Sequence, residues 1–198
     1  MEDILLSRVR LAGVTLFCGA VAWGVGTIIA GEGIQTRVTH VSTVTGILYL
    51  LGVAALAWVV LATGAAGGRA IPVAQLVMVA GALVYSFAGF GYERYEDMPL
   101  WLAVVDVCWP LANLCTLLMG AAVAWTGRFR GLLRWYPLVC GCWLLVMIPV
   151  KNLIGMGVGV YVSAAWLLGS YAVLGLVLAL RPAAVLPGGA AAPVASGA

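Results

Sequence analysis

The chain has 198 residues, 64% of them hydrophobic and 9% charged, with 26 glycines and a net charge of +3. Soluble domains average about 45–50% apolar and about 25% charged residues, and a soluble fold of this size has too little interior to hide so much apolar surface. A cytosolic enzyme, a secreted disulfide scaffold and a nucleic-acid-binding domain are thereby excluded, and an integral membrane protein remains, with the lipid bilayer as its first partner.

A spanning helix needs about 20 apolar residues. Six segments qualify, 9–30, 41–63, 71–90, 99–126, 132–150 and 156–180. The expected fold is all-α: a polytopic transmembrane helix bundle of six spans in a single domain, 1–181. Arg8 and Arg10 precede the first span as they would in a signal peptide, but the apolar stretch runs on to Ala30 and reads as an uncleaved anchor. Ala20 and Gly24 form a small-residue ridge on it. His40, the one histidine, ends the first loop, so bis-histidine haem and His-based metal sites within one chain are excluded. The second span carries Tyr49 and Trp58. The third carries Gln75, an isolated polar group, and Tyr85.

The fourth span holds Asp106, the one carboxylate inside a span. Counted from Pro99 it lies about 10 Å deep at 1.5 Å per residue. A mid-membrane carboxylate costs about 2.5–3.5 kcal/mol, so Asp106 should face protein or water. At 100° per residue Pro110, Asn113, Leu117, Gly120 and Ala124 share its face, with Cys108 and Cys115 opposite. This polar and small stripe is expected to face the bundle interior. Pro110 has no N–H for the Asp106 carbonyl, so a kink is expected there. Trp23, Tyr49, Tyr85, Trp109 and Tyr161 fall at similar depth, and Lys151, after Pro149 at the end of the fifth span, is within snorkelling reach.

Between the fourth and fifth spans Arg128, Arg130 and Arg134 alternate with Phe129, Trp135 and Tyr136, a pattern suited to setting topology or gripping anionic headgroups. Gly155, Gly159 and Ser163 form a second small-residue ridge on the sixth span, and both ridges suit helix packing within the chain or a homo-oligomer contact. Residues 182–198 are Pro, Gly, Ala, Val, Leu and Ser without charge and are expected to be a disordered cytoplasmic tail. The five cysteines sit in apolar runs without a Cys-x-x-Cys pattern, so neither a disulfide framework nor a metal site is expected.

Positive residues favour cytoplasmic loops. A cytoplasmic N-terminus gives the cytoplasm Arg8, Arg10, Arg69, Arg128, Arg130, Arg134 and Arg181, seven against Arg37, Arg94 and Lys151 outside. Both termini are expected in the cytoplasm and the protein in the cell membrane. Trp58, Trp125, Trp135 and Trp101 fall near the expected headgroup boundaries.

Asp106 with Trp109-Pro110-Leu111, and Arg134-Trp135-Tyr136-Pro137-Leu138 opening the fifth span, resemble a group of small, mostly uncharacterised six-span membrane proteins of actinobacterial type, over about residues 9–181. That resemblance implies the topology and carries no activity, cofactor or catalytic residue. In size and span count the chain is also similar to the substrate-binding subunits of energy-coupling-factor vitamin transporters, whose Ala-x-x-x-Ala pattern Ala20-x-x-x-Gly24 loosely echoes.

The spans lack the nucleophile–base pair or metal set that an intramembrane enzyme needs. A non-enzymatic membrane protein without cofactor is expected, in which Asp106 is an interior polar residue, paired with Lys151 or a tyrosine hydroxyl, that fixes helix register. The alternative is a small carrier or binding subunit for a cationic or neutral organic solute. Its outward pocket would draw on Asp106, Asn113, Tyr85, Tyr49, Trp109 and Lys151, with charge and cation–π contact to hold the solute.

Overall fold

A computed structural model describes residues 2–31 and 38–186, and among these the chain is all-helical. In order come α1 (Glu2–Ala30), α2 (His40–Thr63), α3 (Ala70–Gly89), α4 (Leu100–Asp106), α5 (Cys108–Thr126), α6 (Tyr136–Gly141), α7 (Trp143–Leu153), α8 (Met156–Trp166) and α9 (Val173–Leu180). Five helices are long and apolar enough to cross a membrane: Asp3–Ala30, His40–Thr63, Ala70–Gly89, Leu100–Thr126 and Met156–Leu180. Gly131–Gly141 and Trp143–Leu153 meet at 44° and make a sixth if counted as one bent rod. Glu32, Gly33 and Arg37 of the first loop, and the tail from 187 to 198, lie outside the described residues.

Helix ends follow local chemistry. α2 opens on a capping box in which Thr39 Oγ1 accepts from the Ser42 amide at 3.1 Å and Ser42 Oγ accepts from the Thr39 amide at 3.2 Å. It closes on Gly64, whose φ of 63° supplies the left-handed residue that lets its amide reach back to the last turn. α1 begins at Glu2, earlier than the apolar stretch itself, so Arg8 and Arg10 are helical rather than flanking. Its 29 residues span about 43 Å, longer than the roughly 30 Å hydrocarbon layer.

Two rods are broken. Leu100–Thr126 is interrupted at Val107, directly after Asp106 and three residues before Pro110, where the ladder loses an N–H as the sequence leads one to expect. The rod after Arg130 is interrupted at Cys142, for which no proline is responsible, since the Val146 amide still reaches the Cys142 carbonyl at 3.1 Å. α8 and α9 are joined by a π-helical stretch, Leu167–Ala172, which adds a residue to the turn and carries Ser170 and Tyr171 inward.

The rods close into a ring: α1 against α2, α2 against α3, α3 against α4 and α5, α5 against α6, the π-helical stretch against α6, and α9 back against α1. Glycine notches set the closest approaches. A Cβ on Gly13 would strike the backbone at Gly175 and Leu178, and one on Gly175 would strike that at Gly13 and Phe17. Gly19 faces Leu48 while Gly52 faces Leu16, and Gly120 faces Leu138 while Gly141 faces Leu117. In each set the contacts advance along one helix as they retreat along the other, so the partners run antiparallel. Lipid offers no hydrophobic drive to associate, so backbone contact of this closeness is a main source of cohesion. The ridges expected from spacing are filled within the chain in part: Gly24 meets Leu168 and Ala164, Gly159 meets Lys151, and Ser163 bonds to Trp143, whereas a Cβ on Gly155 would meet nothing within 4 Å.

The interior holds Leu16, Leu50, Leu56, Met119, Leu174, Leu178 and the ring of Tyr171. Gln75 is also fully buried, with neither amide atom hydrogen-bonded. On α5 the buried face is Ala112, Asn113, Thr116, Met119, Gly120, Val123 and Ala124. The expected stripe is thus right for Asn113, Gly120 and Ala124, but Pro110 is exposed, because it lies past the edge of the buried face that α5 presents. Cys108 does not face away from the interior either; its Sγ fills the space a Cβ on Gly81 would take.

At the end holding the arginines, Thr126 Oγ1 donates to the Ala65 carbonyl, and Arg134 donates to the Ala124 carbonyl at 2.9 Å while lying over the Trp135 ring. Arg134 therefore neutralises the negative end of α5. Phe129 is fully buried rather than presented to headgroups. The tail is ordered at its start, where Pro182–Val185 form a 3-10 turn with Pro182 and Val185 buried against α1 and α9.

Candidate solute cavity

At the opposite end of the bundle the helices splay around a cavity of about 470 Å³, within the size range of small-molecule sites. Its wall is drawn from several places in the chain. The first turns of α2 supply Ser42, Thr43 and Gly46; the end of α3 supplies Tyr85, Ser86 and Gly89; and the following loop supplies Tyr95 and Met98. The break between α4 and α5 supplies Ala103, Asp106 and Trp109, and α7 supplies Trp143 and Lys151. Trp23 of α1 completes it.

Of the six residues singled out from the sequence, Asp106, Tyr85, Trp109 and Lys151 line this cavity. Tyr49 lies outside the lining, stacked on Trp23 at 6.5 Å and on Trp109 at 6.1 Å, so that it backs the aromatic floor these two tryptophans form. Beneath it Tyr171 meets Tyr49 edge-on at 5.4 Å. Asn113 stands outside the cavity, its amide donating to the Trp109 carbonyl at 3.0 Å. Tyr161 is 65% exposed on the outer surface and takes no part.

Asp106 lines the cavity from the last residue of α4, half-buried and directly before the break at Val107. Lys151 reaches it by laying its stem along α8: a Cβ on Gly159 would sit 2.6 Å from Lys151 Cγ, so the glycine keeps that path open. Both groups face the cavity, yet they are not in ion-pair contact. Among the described residues the ion pair that forms is Arg94–Glu96 at 3.0 Å, on the exposed loop. Trp143 is held by its Nε1 donating to Ser163 Oγ at 3.0 Å.

The lining hydroxyls are engaged with their own backbone. Ser86 donates to the Ala82 carbonyl at 2.9 Å, and Ser42 and Thr43 donate to the Thr39 carbonyl at 2.9 and 3.1 Å. Tyr95, outside the apolar helices, has its phenol pushed above the usual range, first by burial and then by the Asp106 carboxylate. Tyr95, Trp143, Ser42 and Thr43 were not anticipated. The signal for Trp143 and Lys151 was their eight-residue spacing on one helical face, and for Ser42 and Thr43 their place in a capping sequence at the cavity end.

Family models, curated proteins and solved structures provide no match to the chain. Its class therefore comes from its own geometry: an all-helical protein, with helices of membrane-crossing length around a charged, aromatic-walled cavity at one end.

Proposed function

We propose that this is a non-enzymatic, multi-pass protein of the cell membrane that binds a small organic solute in the cavity around Asp106, as a carrier or as the binding subunit of one. The bent α6–α7 rod is the sixth span and both termini are cytoplasmic. Supporting that orientation, the end of the bundle away from the cavity collects Arg8, Arg10, Arg69, Arg128, Arg130, Arg134 and Arg181. The cavity then opens outward.

The observation that carries the proposal is a half-buried carboxylate on the wall of a cavity of about 470 Å³, lined by tryptophan and tyrosine, and not bonded to the lysine that shares it. A residue serving only to lock register would be expected to close on its partner. Binding rather than catalysis is favoured because the aliphatic hydroxyls of the lining, those of Ser42, Thr43 and Ser86, are tied to backbone carbonyls.

Ala103 lines the cavity from the exposed side of α4, so Ala103→Phe fills it without disturbing a helix interface. Purified protein in nanodiscs should show saturable changes in tryptophan fluorescence with small aromatic solutes, and Ala103→Phe should abolish them at unchanged thermal stability. Equal responses from both proteins would defeat the proposal.

A further inference from the structure

The cavity contains two opposite charges held apart by the backbone. Asp106 enters at the end of α4, which packs on α3 beside Tyr85; Lys151 enters from the last turn of α7, its stem guided over Gly159 of α8. Neither makes a hydrogen bond or ion pair with another described residue, whereas Arg94 and Glu96 pair on the open loop nearby. A carboxylate and an ammonium sharing one partly desolvated space attract strongly. Here the break at Val107 and the channel over Gly159 fix their origins on different walls, with Trp23, Trp109 and Trp143 completing the surface around them.

Each class of solute meets this arrangement differently. A simple cation satisfies Asp106 but faces Lys151, and a simple anion satisfies Lys151 but faces Asp106. A neutral molecule strips water from both charges and returns nothing to either. A molecule bearing an ammonium and a carboxylate satisfies both at once. Resting on the solute-binding reading of the cavity, we infer that its solute is a zwitterion. Its ammonium is held by Asp106 with the tryptophan faces, its carboxylate by Lys151, and its apolar body lies against the aromatic floor.

The test is a ranking on wild-type protein in nanodiscs, read by tryptophan fluorescence. Phenylalanine, phenethylamine and 3-phenylpropionate share one aromatic body and differ in charge. The ω-amino acids from glycine to 6-aminohexanoate vary the spacing between the two charges. A zwitterion is expected to bind at least about tenfold more tightly than the amine or the acid, since each single-charge probe leaves one wall group unpaired. Lys151→Met should erase the preference over the amine, weakening the zwitterion and tightening the amine, which no longer meets a like charge, and Asp106→Asn should erase the preference over the acid in the same way.

If the amine or the acid binds wild-type protein as tightly as the best zwitterion, the inference is wrong and the solute-binding proposal survives. If no probe in either set binds saturably, both fall. The wild-type ranking is decisive even where a variant fails to fold.

Discussion

At the scale of single residues, Asp106 acts through its position rather than its chemistry alone. A carboxylate on an unbroken apolar helix would have to be neutralised or turned toward a neighbour. Pro110, four residues on, removes the N–H that the Asp106 carbonyl would accept from, and the helix is interrupted at Val107, next to the carboxylate. Its charge is felt by Tyr95 across the cavity mouth, which gives a direct check. Burial and Asp106 both hold the Tyr95 phenol protonated above the ordinary tyrosine value, which is about 10. The folded state thus binds that proton more tightly, and the associated stability is intact below the ordinary range and declines as pH rises through it. Asp106→Asn should lower the pH at which Tyr95 ionises without returning it fully to normal, because burial remains. Ultraviolet titration, with the Tyr95→Phe protein as the subtracted reference, reads this, and an unshifted curve would place Asp106 too far from the phenol to matter.

At the scale of helices, stability is concentrated at the glycine notches. Gly120 lies against the backbone of Pro137 and Leu138, so Gly120→Leu must push α6 away bodily. Overpacking typically costs about 1–3 kcal/mol, and backbone contact puts this site at the upper end. Gly169, where an added Cβ meets nothing within 4 Å, is the control: Gly169→Ala should be neutral or stabilising by up to about 1 kcal/mol. Thermal unfolding in detergent compares the two, and similar losses would mean the notches do not govern cohesion. These helices also separate what the sequence discloses from what it conceals. Membrane-length apolar runs can be read from one segment at a time, as can the break that Pro110 causes. The break at Cys142 and the π-helical turn at Leu167–Ala172 have no local signature, because they accommodate neighbours distant in sequence. Small residues four apart pointed to Ala20 and Gly24, whereas the tightest notches are single glycines whose partners lie on other helices. In the cavity, depth along each span found Asp106, Tyr85, Trp109 and Lys151. Depth says nothing of direction around a helix, which is why Tyr161 proved to face outward; Asn113, placed by the helical wheel on the face of Asp106, is indeed buried but lies behind the cavity wall.

At the scale of the whole molecule the two ends differ. One carries arginines, with Arg134 anchored to a helix terminus and Trp125 and Trp135 exposed beside it. The other carries the cavity and Trp101. With six crossings, a reporter fused after Ala198 should be active on the cytoplasmic side, and one inserted in the loop around Glu96 should be active outside. The protein should also resist extraction by alkaline carbonate. Opposite reporter signals would reverse the direction in which the cavity opens, and five crossings would send the ends to different compartments.

The seam between α1 and α9 carries a consequence for biogenesis. Gly13 and Phe17 leave the ribosome well before the residues they nest against, Gly175 and Leu178, have been made. At about 5–20 residues per second, the intervening chain takes roughly ten to thirty seconds to synthesise. Throughout that interval the flank of α1 that carries Gly13 stands uncovered, its final neighbour still unmade.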